Sequence, residues 1–256
     1  MALESIHAFL KRKRDDGETR KRKEAPVEAG ALKALGLKPP KTCEVALGEE
    51  KRRVEELEAE LEQARIREAV YKKLIERYAD VIEAGEEKTI PELRALINPE
   101  DETVRETKAR ILDEFPKYDF DKHFLRFADK AFEFIASLRP VHSGVRVSYW
   151  LSPREVIELG AADAFDKAVF LCSLLRAGGN TSARVRVIEL EGGIQHPVVV
   201  FEFHGRVFLF DAEAKIRQSA TSAEALFAKV CCGGKRATRL LYEFNDQNYE
   251  EFNGEA

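Results

Sequence analysis

Between Gly48 and about Ala84 the apolar residues Val54, Leu57, Leu61, Ala64, Tyr71, Ile75, Tyr78 and Ile82 recur at spacings of three and four. Glu, Lys and Arg fill the positions between them, and Glu68 is a polar break. This is the periodicity of a coiled-coil seam. It predicts one long amphipathic helix over residues 48–84, roughly 50 Å at 1.5 Å per residue, which Gly85 ends. The seam either pairs with a second copy through residues 50–84, giving a homodimer, or folds back on its own domain. Residues 85–120 then read as a helical linker. Pro91 opens a short helix at its first position, Asn98-Pro99 separates it from another beginning near Glu100, and Pro116 closes that one. Over 121–138 the period predicts a helix with Phe124, Phe127, Ala128, Phe132 and Ile135 on its inner face.

Further on, Asp163 suits an N-cap and Asp166 the first turn, and Gly178-Gly179 supplies a stop that tolerates the left-handed region. Residues 164–177 are therefore predicted to be a helix, with Phe165, Ala168, Val169, Cys172 and Leu175 forming its buried face. The period then changes to two. Val185, Val187, the run from Val198 to Phe203 and Val207 to Phe210 read as strands, with His204-Gly205 as a two-residue turn. That turn sets Phe203 opposite Arg206 and Asp211 opposite Val198. His196 and Asp211 then become same-face diagonal neighbours, about 7–8 Å apart along the backbone and within reach of each other's side chains. Such a pair can serve as a base and its orienting carboxylate. Beyond Thr238, Leu240, Leu241, Phe244, Tyr249 and Phe252 form a tail expected to pack on the core. The fold class predicted is α+β, a helical N-terminal half leading into a helix packed on an antiparallel sheet, with the core over 121–256.

Composition narrows the reading. The 256 residues are 34% charged and 44% hydrophobic, which suits one substantial domain with extensions. No run approaches the ~20 apolar residues of a membrane span, and the charged N-terminus lacks the apolar core of a signal peptide. A cytoplasmic, intracellular protein is expected, with no membrane partner. Cys43, Cys172, Cys231 and Cys232 have neither zinc-site spacing nor a disulfide framework, so no metal and no cofactor is expected. Cys172 reads as core packing. Cys231-Cys232 before Gly233-Gly234 reads as structural, a reactive thiol being the alternative. Four Gln and one Met beside abundant Glu, Lys and Arg lean towards a thermophile.

The stretch Gly160-Ala161-Ala162-Asp163-Ala164-Phe165-Asp166 resembles the nucleophile turn of the transglutaminase-like superfamily, in which Gly-Asp-Cys opens a buried helix and a His and an Asp follow on neighbouring strands. The resemblance extends over about residues 121–215. Tyr149 to Glu155 is similar to the segment before the nucleophile helix in microbial and archaeal members, and Leu171 to Gly179 to the body of that helix. His196 to Val200 with Gly205 to Asp211 is similar to the strand pair carrying His and Asp. Two positions depart: Ala162 stands where the family has Gly, and Ala164 where it has the nucleophile. The resemblance implies a papain-like core with the triad positions at Ala164, His196 and Asp211. A methyl group cannot attack a carbonyl, so this chain is expected to be inactive in thiol chemistry. Position 164 is otherwise well suited to a thiolate, because helix N-terminal N–H groups lower a thiol pKa. Two functions follow. One is a pseudoenzyme, an interaction module for protein or nucleic acid, as in the XPC-type DNA-damage recognition proteins of the superfamily. The other is a cysteine-dependent amide hydrolase or acyltransferase whose nucleophile has been replaced, with His196 moving the proton and Asp211 orienting it.

The net charge of −4 is unevenly spread. Residues 11–23 hold eight basic residues, among them Lys11, Arg12, Lys13 and Arg14, against three acidic ones. This stretch belongs to a basic arm, residues 1–47, that should not fold alone. It either contacts nucleic acid phosphates, placing the protein at the nucleoid, or is a solvated tail. Ahead of it, Ile6, Phe9 and Leu10 lie on one side of a single helical turn. The segment resembles the sliding-clamp-binding peptides of replication and repair proteins, with Leu3 in place of their Gln. A DNA sliding clamp bound through residues 3–14 is the partner this implies; an amphipathic start or a solvated tail is the alternative.

Overall fold

The computed structural model describes residues 43–115, 117–141, 149–227 and 230–252, with side chains from residue 50 onward. The arm carrying Ile6, Phe9, Leu10, Lys11, Arg12, Lys13 and Arg14 lies outside the described residues. The chain divides into two units, Met1–Ala69 and Val70–Ala256.

The first unit contributes most of helix α1 (Cys43–Arg77), which runs on into the second. In this part of the helix Val54, Leu57, Leu61 and Ile66 are all exposed. The predicted single helix to residue 84 is in fact two. The chain leaves helical geometry at Tyr78 (φ −107°, ψ 15°) and resumes as α2 (Ala79–Glu86). Gly85 does not end it, because a helical glycine costs only about 1 kcal/mol relative to alanine. The stop is Glu87, whose ψ of 128° is extended.

In the second unit most helix starts after α2 are fixed by a side chain. Ahead of α3 (Ile90–Ala95), the Thr89 N–H and hydroxyl both donate to the Glu92 carboxylate at 2.9 and 2.6 Å. Asp101 accepts from the Thr103 and Val104 N–H groups, so α4 spans Glu102–Leu112. Asn98 takes the Glu100 N–H in a turn instead, which moves the start two residues past the predicted one. Asp119 caps α5 (Phe120–Ser137), whose inner face buries Phe124, Phe127, Ala128, Phe132 and Ile135 as the periodicity predicts. After β1 (Arg139–Pro140), Ser152 and Glu155 form a capping box on α6 (Pro153–Leu159). Gly160, at φ +60°, then turns the chain into β2 (Ala161–Ala162).

Helix α7 (Ala164–Ala177) has its predicted bounds but more than the predicted burial: every residue from Asp166 to Arg176 is buried, whereas Phe165, predicted on the buried face, is only half-buried. It packs against α4, α5 and α6 on one side and against strands on the other, which leaves no solvent stripe. The sheet consists of β3 (Arg184–Leu190), β4 (Ile194–Phe203), β5 (Arg206–Asp211), β6 (Ile216–Ala220), β7 (Cys231–Cys232), β8 (Lys235–Phe244) and β9 (Tyr249–Glu251). Their order is β6-β5-β4-β3-β8-β7, with β9 on β8 and every pairing antiparallel. The expected tail is thus part of the sheet. A short helix, α8 (Ala223–Phe227), follows β6. The architecture is α+β, as the patterning predicts.

Alternation divides the sheet into two faces. Val185, Val187, Val199, Phe201 and Phe210 pack with α5 and α7 in one core cluster. Ile188, Leu190, Val198, Val200, Val207 and Leu209 pack with Leu226, Val230 and Cys232 in another. No helix of the described residues is long and apolar enough to cross a membrane.

Candidate functional site

The turn between β4 and β5 has two residues, His204 and Gly205, at φ +48° and +72°. Both positive values suit the tight hairpin turn that matches strand twist. The register follows: Phe203 faces Arg206 and Val199 faces Phe210. His196, opposite Ile188 on β3, and Asp211, the last residue of β5, meet with Nε2 to Oδ2 at 2.7 Å. Asp211 is 1% exposed. Burial works against its ionisation. The bonds from His196, the Ala214 N–H and the Cys232 thiol outweigh that and hold its carboxyl below the usual carboxylate range.

Ala164 opens α7, with Asp163 as its cap accepting the Asp166 N–H at 2.9 Å. The first turn of α7 is tied to the loop after Asp211 by an ion pair between the buried Lys167 and Glu213, at 2.7 Å. By alternation, however, His196 and Asp211 share the face of Val198, Val200 and Leu209, whereas α7 packs on the other face with Val199 and Phe201. The bond between His196 and Asp211 is explicit. The first turn of α7, which Ala164 opens, is linked to the loop after Asp211 by the Lys167–Glu213 ion pair.

The electrostatics around position 164 differ from the expectation for a bare helix N-terminus. Asp166 does not complete a capping box; its Oδ1 accepts the Leu151 N–H at 3.0 Å. Its other oxygen is buried without a hydrogen-bond partner among the described residues. Burial, then the neighbouring Asp163, push its pKa up to about 7. Burial also raises Asp163. Burial and these two carboxylates raise Tyr149. A thiol placed at position 164 would therefore feel two acidic neighbours as well as the favourable helix dipole.

The thiols of the described residues lie elsewhere. Cys172 is buried in the middle of α7, and desolvation pushes its pKa far up. Cys231 is exposed, while Cys232 points inward and donates to Asp211 Oδ2 at 3.1 Å. Sequence reasoning missed this contact. The doublet before Gly233-Gly234 signals a hairpin with one cysteine in and one out. The partner across the sheet leaves no mark in local sequence.

No protein-family model matches the chain, and no curated protein does. Among solved structures it is distantly similar to Legionella pneumophila LapG. The calcium-bound form is 17% identical over 66% of this chain and 91% of that one, with a TM-score of 0.43. For LapG without that designation the values are 18%, 65%, 90% and 0.43. The EGTA-treated form gives 17%, 65%, 87% and 0.42.

Proposed function

We propose that this chain is a non-catalytic member of the transglutaminase-like superfamily, acting as an interaction module for protein or nucleic acid in DNA maintenance. The observation that carries this reading is the methyl of Ala164 at the head of α7. The described thiols do not replace it: Cys172 is sealed in mid-helix, Cys231 is turned out to the exposed side of β7, and Cys232 is engaged with Asp211. Amide chemistry of the thiol kind needs a free thiolate beside a base, and Cys232, the one described cysteine near His196, has its thiol hydrogen-bonded to Asp211. The basic arm over residues 11–23 and the apolar trio Ile6, Phe9 and Leu10 supply the contacts of the module, and the exposed seam of α1 supplies self-association.

The second reading, a cysteine-dependent amide hydrolase or acyltransferase stripped of its nucleophile, draws support from the intact 2.7 Å bond between His196 and Asp211. Ala164→Cys separates the two. Under the interaction-module reading the new thiol reacts with iodoacetamide no faster than an ordinary cysteine, with a pH profile at or above the usual value of about 8.5, because Asp163 and Asp166 oppose thiolate. Rapid labelling near neutral pH that slows when His196→Ala is added would instead establish the enzyme reading.

A further inference from the structure

His196, Asp211 and Cys232 come from three strands and converge: Nε2, one carboxylate oxygen and Sγ all lie within 4.8 Å of one another. β7 and β5 are separated in the sheet order by β8, β3 and β4, so the sheet must curl to bring Cys232 to the end of β5. Register shifts between β3 and β8, after Val187 and after Glu189, lie where that curl is needed. Gly233-Gly234, at φ +58° and +81°, closes the hairpin that holds β7 against β8. Alternation then turns Cys231 out and Cys232 in.

We propose that His196, Asp211 and Cys232 form a zinc site. The donor set is one imidazole nitrogen, one carboxylate oxygen and one sulfur, which zinc accepts, and calcium and magnesium, as oxygen-seeking ions, do not. Charge balances, since a thiolate and a carboxylate neutralise a dication in a site where Asp211 is 1% and Cys232 7% exposed. Asp211 is already oriented, because its Oδ1 accepts the Ala214 N–H at 2.8 Å and so leaves Oδ2 towards the other two ligands. Such supporting bonds fix ligand direction in metal sites. Donors on a tetrahedral zinc stand roughly 3.3–3.8 Å apart, given bond lengths of about 2.0–2.3 Å. The contacts of 2.7 and 3.1 Å need to open by under an ångström. On binding, Zn²⁺ forms bonds to Sγ, Oδ2 and Nε2, the thiol proton leaves to solvent, the imidazole proton moves by exchange with solvent from Nε2 to Nδ1 with no net release, and water completes the fourth position. The ion would staple the β7–β8 hairpin to β4 and β5.

The inference stands apart from the proposed function, since its readouts do not involve position 164. Titration of the purified full chain with Co²⁺ should give a thiolate-to-cobalt charge-transfer band saturating at one ion per chain, and Zn²⁺ should displace it. Cys232→Ser should abolish the band and Cys231→Ser should leave it. His196→Ala and Asp211→Asn should each weaken binding by about 100-fold or more, at or beyond the loss caused by removing one supporting partner. The wild-type chain gives a test that needs no variant: zinc should release one proton from the thiol, and X-ray absorption of the zinc-loaded protein should show a single sulfur among nitrogen and oxygen ligands. A zinc shell without sulfur, a charge-transfer band that survives Cys232→Ser, or no band at all would overturn the site.

Discussion

At the residue scale the most consequential group is Asp166, an acid kept in the first turn of a buried helix with half its carboxylate unpartnered among the described residues. Its pKa is raised from 3.8 to about 7, by burial first and Asp163 second. An acid whose folded pKa lies above its unfolded one is more protonated in the folded state between those two values. Stability is therefore fully retained below about pH 4 and falls as pH rises towards 7. At about 1.4 kcal/mol per pKa unit, the cost at neutral pH is on the order of 2–4 kcal/mol. Asp166→Asn keeps an oxygen for the Leu151 N–H and removes the titration. Thermal melts from pH 4 to 7 should show the wild type losing stability across that window and the variant a markedly flatter profile. Parallel profiles would remove Asp166 as the source.

At the scale of elements, α7 and the β4–β5 hairpin were legible in the sequence because local signals set them. Asp163 at the start, Gly179 at the stop and His204-Gly205 at the turn each fix a bound or a register without reference to distant residues. The strands of the tail and the place of Cys232 were not legible, because packing and sheet curl decide them, and nothing in the structure explains the break at Tyr78, which is exposed. The two glycines after α7 show how the same letters hide different causes. Gly179 has φ +105°, a conformation that favours glycine, whereas Gly178 sits in ordinary helical geometry at φ −70°. Gly178 is needed for space, since a Cβ there would overlap the Phe127 ring of α5. Gly178→Ala should therefore destabilise by about 1–3 kcal/mol through overpacking, read as a lower denaturation midpoint at unchanged slope, and Phe127→Leu in the same chain should recover part of the loss. A neutral Gly178→Ala would mean that α5 and α7 are not held as closely as described. The seam of α1 has its own test. If Val54, Leu57 and Leu61, all exposed, face a second copy, then Leu57→Asp with Leu61→Asp should turn a dimer into a monomer in light scattering while the melting of the second unit stays put. A wild-type monomer would end the homodimer reading.

At the scale of the whole molecule, the chain joins a basic arm to an acidic remainder. Residues 11–23 carry eight basic and three acidic side chains, yet the total charge is −4. Charges of opposite sign on two parts of one chain draw the basic segment to polyanions while the acidic remainder is repelled from them, which favours tethering over close docking. The apolar trio Ile6, Phe9 and Leu10 precedes that segment and fits the bound form of a single helical turn filling one hydrophobic pocket. The two features predict separable effects. For the apolar trio, a peptide spanning residues 1–16 should bind a DNA sliding clamp with micromolar affinity by calorimetry, and Phe9→Ala with Leu10→Ala should abolish the heat. Replacing Lys11, Arg12, Lys13 and Arg14 by Gln should leave that pocket contact in place, slow association and reduce its dependence on salt. On duplex DNA alone the full chain should lose affinity with rising salt, with a logarithmic slope that falls by roughly 0.9 for each phosphate contact removed. No heat with the clamp peptide, together with a salt slope unchanged by the Gln substitutions, would take the arm out of DNA maintenance and leave the module's partner to be sought on α1.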